Sequence, residues 1–313
     1  MHASYVTLGG IPCRVLDSGG GGRLFVLVHG LGGYAENWSL IADDLARLGR
    51  VVAVDLPGFG LSAPARRHDL DTHVNTVAHL IGRLGAQRAT VVGNSMGGLV
   101  AELLAVTHPA LVERLVLIAP ATPWPGGRPP TDPSATMRLA VRALPVLGPV
   151  VIRHRLRTVD VERHVDEIYR IVAHRPHALP HAIRARAVRM AELRRQMPWT
   201  ARAFSESARS IGRTLVARSR FDRLVDAIPQ PTTLIWGARD RVVTPASLER
   251  LAARRPTWHS AEVPEAGHVP MLEQPALVAR LIAEGFEPSH TTGPAERDNA
   301  AHVDPHPASR LPS

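Results

Sequence analysis

The chain has 313 residues, 45% hydrophobic and 21% charged, enough to bury one large α/β core or a core carrying an insertion. Its formal charge of +9 raises nucleic acid as a partner, but all 37 basic residues are arginine, only 4% of residues are aromatic, and the two types do not interleave in a block. That excludes a nucleic-acid function, and the lack of any run of about 18 apolar residues excludes a membrane-spanning helix.

The N-terminus, Met1-His2-Ala3-Ser4-Tyr5, lacks the basic-then-apolar pattern of a signal peptide. A single cysteine, Cys13, leaves no intrachain disulfide and reads as a strand residue. Both features lead to the expectation of a cytoplasmic protein.

In chain order, Tyr5–Leu8 and Ile11–Asp17 are extended runs joined by Gly9-Gly10, a hairpin signal. Leu24–Val28 is a continuous apolar run, as in a parallel strand buried on both faces, and it ends in His29-Gly30-Leu31-Gly32-Gly33. Trp38–Leu48 reads as an amphipathic helix, Arg50–Val54 as a strand ending in Asp55-Leu56-Pro57-Gly58-Phe59-Gly60, and His73–Leu84 as a helix. Ala89–Val92 is the next strand, and a helix begins near Gly97. Leu115–Ile118 is one more parallel strand.

Alternating strands and helices predict an α/β fold with a mostly parallel, doubly wound sheet. The alternation stops after Ala119. Pro and Gly crowd residues 120–133, and from Ser134 to Ile228 every segment has helical character, broken by Pro145, Pro149, Pro176, Pro180 and Pro198 into four or five helices. The sheet pattern resumes at Thr232–Gly237, with a last strand near Ser260–Val263 and a last helix over Pro275–Phe286. A helical block between two strands of one sheet is an inserted cap. The expected layout is core over 1–121, cap over 122–230, core again over 231–287 and a disordered tail over 288–313, whose scattered histidines are solvated and hold no metal.

Gly93-Asn94-Ser95-Met96-Gly97 has the Gly-x-Ser-x-Gly spacing of a strand-to-helix elbow. The turn forces the serine into a strained conformation that projects its hydroxyl above the sheet. Such a hydroxyl needs a base, and the base needs an acid to fix its tautomer. Asp240 lies in the turn after the strand ending at Gly237, and His268 opens the loop after the last strand, giving the order Ser95, Asp240, His268. Glu265 is a competing acid, but it shares the loop of His268 and would have to fold back. The loop after the earlier strand, Ala119-Pro120-Ala121-Thr122, offers no carboxylate. An oxyanion formed at Ser95 requires N–H donors, for which the amides of Met96 and Leu31 are placed. His29 reads as structural.

With these motifs in order, the chain resembles the α/β-hydrolase superfamily, in its capped esterase and haloperoxidase-like branch. The likeness rests on His29-Gly30-Leu31-Gly32-Gly33, Asp55–Gly60, Gly93–Gly98, Trp236-Gly237-Ala238-Arg239-Asp240 and Gly267-His268-Val269-Pro270, spread over residues 5 to 287. It implies hydrolysis without a cofactor or metal, through an acyl-serine intermediate, on a small-molecule acyl or ester substrate. Relatives acting on epoxides or haloalkanes carry aspartate where this chain has Ser95. Carbon–carbon bond hydrolases of ring-fission products share the Gly-Asn-Ser-Met-Gly-Gly elbow. They typically place tryptophan after the catalytic histidine, where this chain has Val269, and use a cap arginine to hold a substrate carboxylate. The cap arginines Arg184, Arg186, Arg189, Arg194 and Arg195 are expected to lie mostly on the solvent face, with Ala187, Val188, Ala191 and Leu193 supplying much of the buried surface. Carboxylic-ester hydrolysis is the expected activity, with carbon–carbon cleavage and a non-catalytic ligand receptor as alternatives.

Overall fold

The computed structural model describes residues 1–124 and 143–286. The expected tail over 288–313 and the first part of the cap lie outside the described residues. Eight strands form one sheet in the order β1-β2-β4-β3-β5-β6-β7-β8. The hairpin of β1 (His2–Leu8) and β2 (Ile11–Asp17) joins antiparallel to β4 (Gly49–Val54). From β4 onward β3 (Arg23–Val28), β5 (Ala89–Asn94), β6 (Val112–Ile118), β7 (Thr232–Gly237) and β8 (His259–Val263) pair in parallel. The central strands are apolar on both faces because helices cover both, so Phe25, Val26, Leu27 and Val28 are all fully buried.

One core layer lies between the sheet and α2 (Leu70–Arg83) with α3 (Met96–Thr107), around Val74, Val77, Leu99 and Leu104. The other lies beneath α1 (Ala42–Ala46) and α11 (Pro275–Glu284), around Trp38, Ile41, Leu45 and Val278. The single helix expected over Trp38–Leu48 is instead a 3₁₀ turn, Ala35–Trp38, followed by the short α1. The apolar spacing of Trp38, Ile41 and Leu45 is present. Three-residue bonds, Asn37 N to Tyr34 O (3.0 Å) and Ile41 N to Trp38 O (3.1 Å), close the chain more tightly than an α-helix.

Between β6 and β7 run α4 (Leu147–Thr158), α5 (Val161–Val172), α6 (His181–Gln196), α7 (Thr200–Val216) and α8 (Arg218–Asp226), which form the cap. Proline sets some of its breaks, not all. Pro149 sits in the first turn of α4, where its missing N–H has no intrahelical partner to lose. The α4–α5 break is made by Asp160, whose side chain caps α5 by accepting Arg163 N at 2.9 Å. After β7 come α9 (Pro245–Arg254), β8 and the short α10 (Pro270–Glu273).

Candidate active site

The loops after β3, β5, β7 and β8 all lie at the carboxyl ends of parallel strands, where an open α/β sheet leaves its ligand crevice. Ser95 sits between β5 and α3 with φ 55° and ψ −117°, a conformation rarely populated by a residue with a Cβ. Its surroundings fix it there. Ser95 N donates to Ile118 O (3.0 Å), and Ser95 O accepts from Ala121 N (3.0 Å) and Leu99 N (3.2 Å). The turn also needs bare backbone beside it. A Cβ on Gly93 would lie 2.2 Å from Gly97 O, and one on Gly97 would lie 2.0 Å from Val28 O.

Asp240 and His268 meet. Asp240 Oδ2 lies 2.8 Å from His268 Nδ1, and both side chains are buried. Asp240 Oδ1 accepts from Val242 N (2.7 Å) and Val243 N (3.0 Å), so the carboxylate is also a turn cap that orients itself. Glu265 points elsewhere, pairing with Arg175, Arg239 and His174 near the surface. His29 is fully buried. Leu56 N donates to its Nε2 (3.1 Å), its Nδ1 lies 2.8 Å from Gly30 O, and burial pushes its pKa down to about 4. It is a neutral ring that holds two loops together, as its sequence setting suggested.

Leu31, Ser95 and His268 line one chamber of about 140 Å³, with Tyr34, Val172 and Arg194. Gly30 packs against the elbow, since a Cβ there would stand 3.2 Å from Ser95 Cβ. Met96 is buried as the first residue of α3, where helix geometry leaves its N–H without an intrahelical partner. Leu31, Leu156, Ile168, Val172 and Arg194 also border a second cavity of about 560 Å³, whose walls include the apolar Phe59, Ile152 and Phe204.

The expected facing of α6 needs correction at Leu193, and Arg194 is the arginine that departs from the outward majority. Leu193 is exposed, and Arg194 points inward, donating to Gly33 O at 2.9 Å with its guanidinium 5.6 Å from the Tyr34 ring centroid. The reason is helical spacing. Ile183, Ala187, Met190, Ala191 and Arg194 fall on one stripe, at steps of three and four, and Leu193 falls off it. Arg184 does face outward, paired with Asp166 and Glu162, while Arg186 reaches Ser39 Oγ (2.8 Å) across the cap–core boundary.

Asn94 escaped the sequence reading of roles. Its Nδ2 donates to Ile118 O (3.0 Å) and to His268 O (3.1 Å), tying the elbow to the histidine loop. The only signal was its place beside Ser95.

A family model described as the alpha/beta hydrolase family matches residues 25–281. The chain belongs to the alpha/beta hydrolase family. It is similar to the pimeloyl-[acyl-carrier protein] methyl ester esterase of Aromatoleum aromaticum, 31% identical over 83% of this chain and 96% of that protein. It is also similar to a 2-hydroxy-6-oxononadienedioate/2-hydroxy-6-oxononatrienedioate hydrolase of a Pseudomonas species, 29% identical over 74% of this chain and 76% of the other. Among solved structures, the meta-cleavage product hydrolase of Pseudomonas fluorescens IP01 superposes with a TM-score of 0.71 at 22% identity, covering 90% of this chain and 97% of that one, a likeness of fold. This alpha/beta hydrolase thus has a methyl ester esterase and a 2-hydroxy-6-oxononadienedioate hydrolase among its relatives, and it is a hydrolase.

Proposed function

We propose that this hydrolase cleaves a carboxylic ester of a small molecule through an acyl-serine intermediate at Ser95. The observation that carries the reading is the 2.8 Å contact between His268 Nδ1 and Asp240 Oδ2, in loops that set His268 on the same chamber wall as Ser95. In this reading Asp240 holds His268 with Nδ1 protonated, leaving Nε2 to take the Ser95 proton as the hydroxyl attacks the ester carbonyl. The amides of Leu31 and Met96 stabilise the oxyanion. His268 then protonates the leaving alcohol, and water, activated by the same ring, releases the acid. No cofactor or metal is required for any step. The chamber of about 140 Å³ suits the scissile group, and the apolar cavity of about 560 Å³ suits a medium-sized chain attached to it.

One observation favours the carbon–carbon reading, and it is Arg194. A guanidinium in a crevice wall, with no carboxylate partner within ion-pair reach among the described residues, suits an anionic group on the substrate. Val269, in the position after His268, favours the ester reading.

Rates on p-nitrophenyl esters of increasing chain length, measured beside a vinylogous 1,5-diketone acid, separate the two. Efficient ester turnover with an optimum at medium chain length is expected. Efficient cleavage of the diketone with poor turnover of every ester would overturn the ester reading. Tight binding of either without turnover would point to the receptor alternative.

A further inference from the structure

The histidine loop is held from both sides, and one of the holders belongs to the cap. His268 O accepts from Asn94 of the elbow, as described, while His268 N donates at 2.7 Å to Val172 O, the last residue of α5. Val172 also lines both cavities. The cap residue that walls the substrate space is therefore bonded directly to the peptide of the candidate base.

A single carboxylate completes this junction. Glu273, at the end of α10, accepts from Gly267 N with Oε2 (2.6 Å), and from His174 N (2.7 Å) and Arg175 N (3.0 Å) with Oε1. Two of these amides belong to the cap turn after α5 and one to the residue before His268. Backbone amides bonded to a carboxylate make stronger, shorter bonds than neutral pairs do. Gly267 shows how closely the two segments meet, since a Cβ there would lie 2.7 Å from Val172 O and 2.8 Å from His174 N. Nothing in the 3.6 or two-residue periodicities requires an acid at position 273.

We propose that Glu273 is a positioning residue that locks the cap turn 172–175 to the His268 loop, so that the seating of the cap sets the alignment of the base. The inference rests on the reading of His268 as base. It makes the cap part of the catalytic scaffold as well as a lid over the chamber. A base displaced by about 1 Å loses on the order of a hundredfold in rate without losing substrate binding.

The test compares Glu273→Gln, Glu273→Ala, Gly267→Ala and His268→Ala in the full chain, with p-nitrophenyl butyrate as probe. Circular dichroism first establishes that each variant is folded at the assay temperature. Glu273→Gln keeps the volume but turns one acceptor into a donor facing an N–H group. The expected result is a fall in kcat of about tenfold for Glu273→Gln and up to about a hundredfold for Glu273→Ala, with KM changed less than about threefold. Gly267→Ala, which pushes the cap turn away by a different route, should shift kcat in the same direction. A purely structural role would lower the melting temperature and leave kcat of the folded enzyme unchanged, and that outcome overturns the proposal. Loss of turnover in His268→Ala with unchanged kcat in both Glu273 variants overturns the lock and leaves the base assignment standing. Near-normal turnover in His268→Ala overturns both.

Discussion

The sheet core and the helical cap solve different problems with different residues. Residues 143–230, the described part of the cap, hold 17 arginines and eight carboxylates, a net charge of +9 equal to that of the whole chain. The remainder is neutral. Strands β3, β5, β6 and β7 are almost wholly buried, whereas Val146, Leu147, Val150, Ile168, Ile171, Leu193 and Val216 of the cap are exposed. The core therefore has little freedom to vary around its crevice, and the loops at its strand ends inherit that rigidity. The cap joins the core by apolar packing, with Val165, Tyr169, Ile183 and Ala191 in one buried cluster and Ala203, Phe221 and Val225 in the other. It is also joined by polar ties such as His68 and Leu70 N to Glu206 and Ser210 of α7, Arg186 to Ser39, and the Glu273 junction. In the proposed reading, bond-making chemistry sits on the buried, neutral half and substrate selection on the arginine-rich half.

The sharpest way to break the comparison is to disable the core side of the site. Ser95→Ala should abolish turnover while the fold persists, and a serine-directed phosphonate should label the wild type at Ser95 alone. Asp240→Asn should lower kcat by about 10³- to 10⁴-fold, since an amide favours the wrong imidazole tautomer. Glu265→Gln should cost less than about tenfold, because that carboxylate faces Arg175 of the cap and Arg239 of the loop after β7 rather than His268. Reversed effects in the last two would move the acid to Glu265. Near-normal turnover in Ser95→Ala would put the nucleophile elsewhere.

A smaller effect is expected on the cap side, and there it should depend on the substrate. Arg194→Gln should raise KM for a carboxylate-bearing substrate by about a hundredfold, roughly 2.7 kcal/mol, and change simple esters by less than about tenfold. Arg184→Gln, on the outer face of the same helix, should change neither by as much as tenfold. Equal losses on charged and uncharged substrates would show that Arg194 acts through its bond to Gly33 O and the loop it steadies, not through substrate charge.

The core was legible in the sequence because its signals are local. A run such as Leu24–Val28 can satisfy its apolar faces only between two helical layers, and the Gly93 and Gly97 positions announce a close approach that a Cβ would block. The meeting of Asp240 with His268 was legible because each follows a strand of the parallel sheet and so lies at its carboxyl edge. The cap was legible only as helices. α6 carries arginine on almost every side, so its amphipathic contrast is weak, and the facing of Arg194 had to come from strict spacing with Ile183, Ala187 and Ala191. Asn94 and Glu273 were missed for another reason. Both act by accepting or donating to main-chain groups distant in sequence, and no pattern of side chains reports such a bond.

The last prediction concerns a misfit within the rigid half. Glu102, on α3, is fully buried, and neither carboxyl oxygen has a hydrogen-bond partner among the described residues. Burial raises its pKa well above the ordinary 4.5, so the side chain sits neutral in the core. Above pH 4.5 the unfolded chain releases this proton and the folded chain keeps it. Stability therefore falls as pH rises through that window, by up to about 1.4 kcal/mol per pH unit. His29 and His73 have the opposite sign. Burial holds them down to about 4 and about 3, so as pH drops below the ordinary 6.5 the unfolded chain takes up protons that the folded chain refuses. Their contribution is present above pH 6.5 and is lost on acidification. Glu102→Met, close in volume and without polar atoms, should stabilise the protein by about 1–3 kcal/mol near pH 4.5, where only the unpaired neutral carboxyl is removed. At pH 8 the gain should be larger, because the alkaline slope disappears with the acid. Urea unfolding of wild type and variant at the two pH values measures both. An equal gain at pH 4.5 and pH 8 would mean that the carboxyl is ionised in the folded core and has a partner there.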